Sequence, residues 1–296
     1  MHYPPGKPDD IEERMTRVAL LGTGLLGSAF ADGILSRGGA DLAVWNRTRS
    51  KAEPLAAHGA RMADSPAEAV RGAARVHLIL FDDDTVDETI DALRPGLGER
   101  AVVVDHTTTL PERTAERAQR LAKAGVHFLH APVFMSPAAA RAAQGMMLVA
   151  GDPATHQLVR DDLERMTGEL WYVGERPDLA AAYKLFGNAM LVAMGGGLAD
   201  IFHMADALDV SRADALGLFD RFKIEGGIRI RGTRILEENY SPSFQLETAR
   251  KDVRLMIESA EREPVPVLRA IAARMDELIA KGLGDQDLAV LARKGT

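Results

Sequence analysis

The chain has 296 residues, of which 46% are hydrophobic and 27% are charged, and it contains no cysteine. The composition is typical of a globular protein, and the length is sufficient for two domains that each bury a core. The absence of cysteine excludes disulfides, thiolate metal sites, iron–sulfur clusters and a cysteine nucleophile. A net charge of −7 without a long basic block argues against nucleic acid or an anionic membrane surface as partner, and favours a small molecule.

The N-terminal residues 1–14 are rich in proline and acidic side chains and have no apolar run. We therefore expect a disordered extension and not a signal peptide. The most apolar stretch, 189–199, contains three glycines and is shorter than the roughly 20 residues that a membrane-spanning helix needs. These features predict a cytoplasmic protein that does not enter membranes.

Residues 15–176 alternate short apolar runs with amphipathic segments, which is typical of a doubly wound parallel sheet covered by helices. The predicted strands are 18–22, 41–45, 76–81, 101–105, 127–129, 146–150 and 171–173. The predicted helices are 24–36, 51–57, 66–71, 85–92, 111–123 and 154–166. We predict an α/β fold whose N-terminal part is a Rossmann domain.

Residues 177–296 have long helical periodicity and no convincing strand, so we predict an all-helical second domain for substrate binding or dimerisation. The predicted helices are 179–208, 212–222, 229–238, 246–262 and 266–281. Gly195, Gly196 and Gly197 lie inside the first of these, where each glycine costs about 1 kcal/mol relative to alanine. Either another helix or subunit approaches them closely, or the helix breaks there.

A glycine-rich turn lies between the first predicted strand and the first predicted helix. It reads Gly22-Thr23-Gly24-Leu25-Leu26-Gly27. In such a GxGxxG turn the first glycine permits a tight bend, the second lets backbone approach a pyrophosphate, and the third lets helix and strand pack closely. The free N–H groups of the helix would bind the phosphates. This placement favours a dinucleotide site over a glycine turn without a ligand.

The end of the second predicted strand indicates which dinucleotide binds. NAD enzymes usually carry Asp or Glu there, for the ribose 2′-hydroxyl, but Asn46, Arg47, Thr48 and Arg49 contain no carboxylate. Arg47 can bind a phosphate through two hydrogen bonds, and the other three add donors and charge. The segment therefore predicts NADP(H), with an ordinary solvated basic loop as the alternative.

Further motifs follow in a fixed order. They are Asp105-His106-Thr107-Thr108-Thr109-Leu110-Pro111, Ala131-Pro132-Val133, Lys184-Leu185-Phe186-Gly187-Asn188, and Phe244 with Lys251-Asp252. Together with the glycine turn and the Asn-Arg-Thr at 46–48, they make residues 17–260 resemble the β-hydroxyacid dehydrogenase family. This family includes 3-hydroxyisobutyrate dehydrogenases and glyoxylate/succinic semialdehyde reductases, has a 6-phosphogluconate dehydrogenase-like cofactor domain, and is related to imine reductases. In the first of these motifs, Thr replaces the family's Ser.

Lys184 and Asn188 are four residues apart in a predicted helix, so both side chains project from one face. The resemblance implies that Lys184 is the general acid/base and that Asn188 orients it or the substrate. We expect an ammonium between two domains, near positive groups such as Lys251, to lose proton affinity. The alternative is a solvated lysine. Imine reductases commonly carry Asp or Tyr here, so the lysine favours a carbonyl or alcohol substrate.

The resemblance also implies the cofactor contacts and the assembly. The expected contacts are Gly22, Thr23, Gly24, Leu25, Leu26, Gly27, Asn46, Arg47, Thr48, Phe81, Thr107 and Lys251. A homodimer or homotetramer is implied. We expect no metal site, because the acidic run 82–84 is suited to capping a helix, and because His127 and His130 point to opposite faces of a strand.

The substrate side departs from the family. Phe134 and Met135 stand where the family has a Ser and a Gly that bind a substrate carboxylate, and Ser136 follows them. The apolar pair either lines a larger, less polar pocket or belongs to the core. The expected substrate contacts are Thr107, Phe134, Met135, Ser136, Lys184 and Asn188.

Three functions remain open from the sequence. The first is an NADPH-dependent oxidoreductase that transfers hydride between nicotinamide and a small carbonyl or hydroxy compound. The second is an imine reductase with an apolar pocket. The third is a noncatalytic NADP-binding module, because a fold does not determine a function.

Overall fold

The computed structural model describes residues 16–38 and 40–293, so the predicted extension 1–14 lies outside the described residues. The chain divides into two compact units, the first ending at Asn188 and the second beginning at Ala189. The long helix α8 (Leu179–Ala207) crosses this division. The secondary structure therefore changes near the expected boundary at 176/177, whereas packing assigns the beginning of α8 to the first unit.

The first unit alternates strands and helices. Its strands are β1 (Thr16–Leu21), β2 (Ala40–Trp45), β3 (Arg61–Met62), β4 (Arg75–Leu78), β5 (Val102–Asp105), β6 (His127–His130), β7 (Val133–Phe134), β8 (Met146–Gly151) and β9 (Glu169–Gly174). Its helices are α1 (Leu25–Arg37), α2 (Glu53–Ala57), α3 (Pro66–Ala69), α4 (Asp83–Leu93), α5 (Pro111–Lys123), α6 (Pro137–Arg141) and α7 (Pro153–Glu164). Every predicted strand and helix of this region is confirmed, while β3, β7 and α6 were not predicted.

The strands form one sheet in which β1 to β6 are parallel neighbours in the order β3-β2-β1-β4-β5-β6. Beyond β6, β8 is antiparallel to β6 and to β7, and it is parallel to β9. The chain runs outward from β1 through β2 and β3, and then returns to place β4 on the other side of β1. Such a reversal opens a crevice at the carboxyl ends of β1 and β4, where open α/β sheets bind their ligands.

The core of the first unit covers both faces of the sheet. Val18 and Leu20 of β1 pack in one apolar cluster, while Ala19 and Leu21 pack in another. Because successive side chains of a strand point to opposite faces, this central strand is an unbroken apolar run. Phe30 of α1 joins the first cluster.

The second unit contains the rest of α8 and four further helices. These are α9 (Arg212–Arg221), α10 (Glu225–Leu236), α11 (Leu246–Ser259) and α12 (Pro266–Ala280). The predicted helices are confirmed, although α10 begins before the expected residue 229. Its core is formed by Leu246, Val253, Met275 and Leu278.

Helix α8 is continuous through its three glycines, so the alternative of a break there is wrong. A Cβ on Gly196 would lie 2.9 Å from Cγ2 of Val267, while Gly195 and Gly197 have open space beside them. The expected close approach is therefore found at Gly196, against the N-terminal turn of α12. In this contact the neighbouring helix belongs to the same unit.

Helix α8 is also long and apolar enough, by length and composition, to cross a membrane. Length and composition alone do not test the expectation that the protein stays outside membranes. A single helix of this kind also occurs in the cores of proteins that remain in water, so the property does not assign a location. Phe186, Leu191 and Val192 are exposed on this helix.

Candidate active site

A cavity of about 690 Å³ opens where β1, β2, β4 and β5 end. It is lined by most of the residues that the sequence predicts as cofactor contacts: Gly22, Gly24, Leu25, Leu26, Gly27, Asn46, Arg47, Thr48, Phe81 and Thr107. Thr23 is a buried residue of the turn, and Lys251 lies in the second unit. The cavity occupies the crevice that the strand order creates.

The glycines of the turn fit a backbone that must bend and pack closely. Gly22 has a φ of +101°, and a Cβ there would lie 2.8 Å from the carbonyl carbon of Ile79. A Cβ on Gly27 would lie 2.9 Å from the carbonyl carbon of Gly22. Gly24 has open space beside it. The geometry therefore leaves room at Gly24 for a group such as a pyrophosphate, in front of the N-terminus of α1.

Asn46 holds the glycine turn in place. Its Oδ1 accepts a hydrogen bond from the backbone N–H of Thr23 (3.0 Å), and its Nδ2 donates to the carbonyl of Thr48 (2.9 Å). The side-chain amide thus joins the end of β2 to the turn after β1. Asn46 lines the cavity, but these two bonds already engage both ends of its amide.

The basic side chains after β2 divide into two kinds. Arg47 and Lys51 line the cavity, and Arg47 forms no salt bridge within the described residues. Arg49 forms a salt bridge with Asp64 instead. Arg49 does not line the cavity, and whether it adds charge to a phosphate site stays a prediction. Lys51, which was not predicted, lines the cavity beside Arg47.

Thr107 is fixed between two strand ends. Its N–H donates to Oδ1 of Asp105 (2.9 Å), and its hydroxyl accepts from the N–H of Leu80 (3.0 Å). Burial raises the pKa of Asp105 to about 6, although the hydrogen bonds from Thr107 and the charge of Arg117 oppose the rise. The Asp of this motif therefore positions the backbone at the cavity wall.

His106 also lines the cavity, at the end of a buried chain of hydrogen bonds. Arg75 Nε donates to His77 Nε2 (3.1 Å), His77 Nδ1 lies 2.9 Å from His106 Nε2, and His106 Nδ1 lies 2.6 Å from the carbonyl of Ala131. Since guanidinium can only donate and carbonyl can only accept, both rings must be neutral and protonated on Nδ1. Burial lowers the pKa of His106 to about 4, which agrees with this assignment.

Lys184 and Asn188 form a second group, in the part of α8 that belongs to the first unit. Both side chains are half-buried, and neither lines the cavity described above. Burial lowers the pKa of the Lys184 ammonium, and no neighbouring charge, including that of Lys251, contributes to this shift. Its Nζ lies 4.1 Å from the centre of the Phe134 ring.

Comparison with known proteins identifies the first unit. The profile described as the NAD binding domain of 6-phosphogluconate dehydrogenase matches residues 17–174. The chain belongs to this family. The cofactor domain and its relatives make the protein an NAD(P)-dependent oxidoreductase.

Relatives match along nearly the whole chain of this oxidoreductase. It is 30% identical over 283 residues to the uncharacterized oxidoreductase YfjR of Bacillus subtilis (strain 168), covering 94% of this chain and 99% of that one. It is 27% identical to glyoxylate/succinic semialdehyde reductase 2, chloroplastic, of Arabidopsis thaliana, covering 93% and 78%. The structure of an imine reductase from Myxococcus stipitatus in complex with NADP+ has the same fold, with a TM-score of 0.85 at 22% identity over 94% and 99% of the two chains.

The two apolar residues Phe134 and Met135 are half-buried and pack against apolar clusters of the first unit. Phe134 joins a small cluster with Leu148 and Ala180, and Met135 packs against the larger core. Ser136 is the N-cap of α6, and its Oγ accepts from the N–H of Ala139 (3.2 Å). Both apolar side chains therefore pack against these clusters and, being half-buried, still keep exposed surface.

The remaining predicted residues have local partners. Nζ of Lys251 lies 2.7 Å from Oδ1 of Asp252, and Phe244 packs against the core of the second unit. Asp82 is the N-cap of α4, where its Oδ1 accepts from the N–H of Thr85 (2.9 Å). The capping interpretation is therefore confirmed for Asp82, whereas Asp83 accepts from the N–H of Leu110 (2.9 Å) and pairs with Arg117 (2.9 Å). Within residues 16–38 and 40–293, no group of three histidines or carboxylates is arranged to hold a metal ion.

Sequence reasoning missed several residues of the cavity wall in this oxidoreductase. They are Trp45, Lys51, Pro66, Ile79, Leu80, Thr85, Glu88, Thr89, Ala92 and His106. Ile79 and Leu80 follow β4, which ends at Leu78 and not at the expected residue 81. Ligands bind at the carboxyl ends of the strands next to β1. Taking the residues that follow each of these strands would therefore have predicted Ile79 and Leu80.

Proposed function

We propose that this oxidoreductase uses NADPH to reduce a small carbonyl compound, with Lys184 as the general acid, and oxidises the corresponding alcohol in reverse. The observation that carries the proposal is the half-buried Lys184, whose pKa burial lowers, four residues before Asn188 on one helical face. The name of the plant reductase among the relatives supports a carbonyl substrate.

The cavity residues support NADP(H) as the cofactor. The turn at Gly22–Gly27 and the N-terminus of α1 would hold the pyrophosphate, and Arg47, Thr48 and Lys51 would hold the 2′-phosphate. When bound, NADPH supplies the hydride. The NADP+ named with the imine reductase structure agrees with this preference.

Lys184 supplies the other half of the reaction. Carbonyl reduction adds a hydride to carbon and a proton to oxygen. As the carbonyl electron pair moves to oxygen, the ammonium donates its proton there and becomes a neutral amine. In the reverse direction the neutral amine accepts the proton of the alcohol. Asn188 would orient the amine or the substrate from the same helical face.

Imine reduction is the second candidate, because two apolar residues, Phe134 and Met135, stand where a carboxylate-binding Ser and Gly are expected. The imine reductase with the same fold supports it. A noncatalytic NADP-binding module is the third. Oxidation of NADPH, measured by absorbance against aldehydes, 2-ketoacids and cyclic imines, separates the three. Binding without turnover on every compound would favour the module.

Substitution Lys184→Ala tests the role of the lysine directly. We expect kcat for a carbonyl substrate to fall about 10²- to 10⁴-fold, the usual contribution of a positioned general acid. Lys281→Ala removes an exposed lysine after α12 and serves as the matched control. Turnover that survives Lys184→Ala at the level of the control would refute the assignment.

We also propose that two or four copies assemble in the cytoplasm, with neither nucleic acid nor membrane as partner. Apolar side chains are exposed on three helices: Phe186, Met190, Leu191, Val192 and Met194 on α8, Leu216 and Leu218 on α9, and Ile228, Ile230 and Leu236 on α10. Large exposed apolar patches mark interaction surfaces. A second copy of the chain would bury them from water.

A further inference from the structure

Phe134 presents its ring to the amine that the proposed reaction uses. The Nζ of Lys184 lies 4.1 Å from the ring centre. Ammonium groups within about 6 Å of an aromatic ring centre are attracted to the negative face of the ring. Phe134 is therefore a direct neighbour of the ammonium and not only a residue of the core.

The ring fills a space that the helix provides for it. Gly187, one turn along α8 from Tyr183, lies against the ring, and a Cβ on Gly187 would overlap Cζ of Phe134 and lie 2.6 Å from Cε1. Glycine inside a helix lowers its stability, so close approach of the ring accounts for the residue. Any larger residue at 187 would displace the ring from its place.

Packing on the sheet side holds the ring against the helix. Phe134 pairs with Met146 across β7 and β8. Leu148 and Ala180 are buried in the same small cluster. The ring is thus held between the sheet and the first turns of α8, and its rotation away from Lys184 is opposed by these contacts.

We propose that Phe134 is a positioning residue for Lys184: its ring holds the ammonium in place, and Gly187 makes the space that the ring needs. The inference rests on the proposed function, in which Lys184 donates the proton. It deepens that function by assigning a role to the residue at which this chain departs most from the family motif.

The Phe134 ring and the burial of Lys184 change the pKa of the ammonium in opposite directions. Burial lowers the pKa of Lys184 and is the one cause of that shift. The titratable side chains on the packed elements are Tyr183 on α8, Asp178 before it, and Glu169 and Tyr172 on β9, and none of them contributes to it. Strands β7 and β8 carry no titratable side chain. The ring attracts only the charged form, so it keeps more of the lysine protonated near neutral pH, as a general acid requires.

The test measures the titration of Lys184 without turnover. Lysine side chains labelled with ¹³C and ¹⁵N are followed by NMR across pH, and Lys184→Ala assigns the resonance. In Phe134→Leu we expect the midpoint to fall by about 0.5 to 1 on the pH scale. Phe134→3,5-difluorophenylalanine keeps the ring and its packing but weakens its negative face, so a smaller fall in the same direction is expected.

Two further variants separate the ring from general changes in the helix. Phe186→Leu removes an exposed ring from the same helix and should leave the midpoint unchanged. Gly187→Ala should lower the midpoint when Phe134 is present, because the new methyl group displaces the ring. In the Phe134→Leu background the same change should have no further effect.

The pH profile of kcat connects this contact to the reaction. For carbonyl reduction, activity falls where Lys184 loses its proton, so Phe134→Leu should move this limb to lower pH by the same amount as the NMR midpoint. An unchanged midpoint in both the Leu and the difluoro variants overturns the inference. A lowered midpoint together with full turnover in Lys184→Ala overturns the proposed function instead, and leaves only the contact.

Discussion

The two units differ in how completely a single copy buries its apolar side chains. In the first unit, Val18, Ala19, Leu20 and Leu21 of β1 are all fully buried. In the second unit, helices α9 and α10 have no buried residue. The sheet therefore forms its own core, whereas these helices expose apolar surface that the proposed second copy would cover.

The units also differ in their buried titratable groups. The first unit buries His77, His106 and His130 in neutral form. The second unit depends on Asp287, whose Oδ2 accepts from the N–H and the hydroxyl of Ser243 and from the N–H of Phe244. Although burial opposes it, these hydrogen bonds hold the pKa of Asp287 well below its usual range. The two units should therefore respond to acid at different pH.

The largest expected effect is a loss of self-association when the exposed apolar surface of the second unit is disrupted. Val192 is 76% exposed on α8, and Val192→Asp would place a carboxylate in the proposed contact between copies. Burying an unpaired charge costs about 4 kcal/mol or more, so self-association should weaken at least about 1000-fold. Sedimentation velocity measures the change in mass.

The control for this variant is Leu158→Asp, because Leu158 is similarly exposed, at 65%, on α7 of the first unit. It should leave the mass unchanged. Equal masses for wild type and Val192→Asp would exclude α8 as the contact. If the wild-type protein is instead found in the membrane fraction and only detergent releases it, α8 lies in a bilayer.

The next effect is an acid response of the first unit. Burial lowers the pKa of His106 and of His130 to about 4, so between about pH 6.5 and 4 the unfolded chain binds more protons than the native one. The native state therefore keeps its full stability at neutral pH and loses stability as the pH falls through that window. Each histidine lowers the free energy of unfolding by about 2 kcal/mol from pH 7 to 5. Asp105, with its raised pKa of about 6, offsets roughly 1 kcal/mol.

Urea unfolding followed by tryptophan fluorescence measures this response, because both tryptophans, Trp45 and Trp171, lie in the first unit. The free energy of unfolding should drop by at least roughly 3 kcal/mol from pH 7 to 5, because His77, whose pKa burial also lowers, adds to the loss. His130→Gln should remove about 2 kcal/mol of that pH dependence. Asp287 stays ionised between pH 7 and 5 because its pKa is lowered. The stability that its carboxylate contributes is therefore lost only below about pH 4. Equal unfolding at pH 7 and 5 would contradict neutral buried histidines.

The smallest effect concerns the cofactor. In Arg47→Ala, we expect the Kd for NADPH to rise about tenfold, equivalent to about 1.4 kcal/mol, while the Kd for NADH changes little. Isothermal titration measures both. Arg49→Ala is the matched control, since Arg49 already pairs with Asp64. If the wild-type protein binds NADH as tightly as NADPH, the predicted preference for NADP(H) is wrong.

The order of elements was predictable from the sequence, but short elements were not. Apolar periodicity found the long strands and helices because their patterns extend over several turns or pleats. Strands β3 (Arg61–Met62) and β7 (Val133–Phe134) have two residues each, which is too short for a period. Helix α10 includes Gly226 and Gly227, whose low helix propensity hid its start.

The site was predictable where a motif is local, and not where distant side chains meet. The glycine turn required only a strand, six residues and a helix. Arg49 pairs with Asp64, and Asn46 uses both ends of its amide on the backbone. These contacts depend on how separate segments pack, so the sequence did not predict them. The contact between Phe134 and Gly187 joins β7 to α8, and no spacing in the sequence indicates it.

The neutral state of His106 gives the cavity an electrical polarity. The lasting positive charges on its wall are Arg47 and Lys51, after β2, while the histidine after β5 carries none at physiological pH. An incoming anion is therefore drawn toward one end, so a dinucleotide should arrive with its phosphorylated ribose leading and its uncharged amide trailing. Added salt should slow this capture, because it screens the long-range attraction.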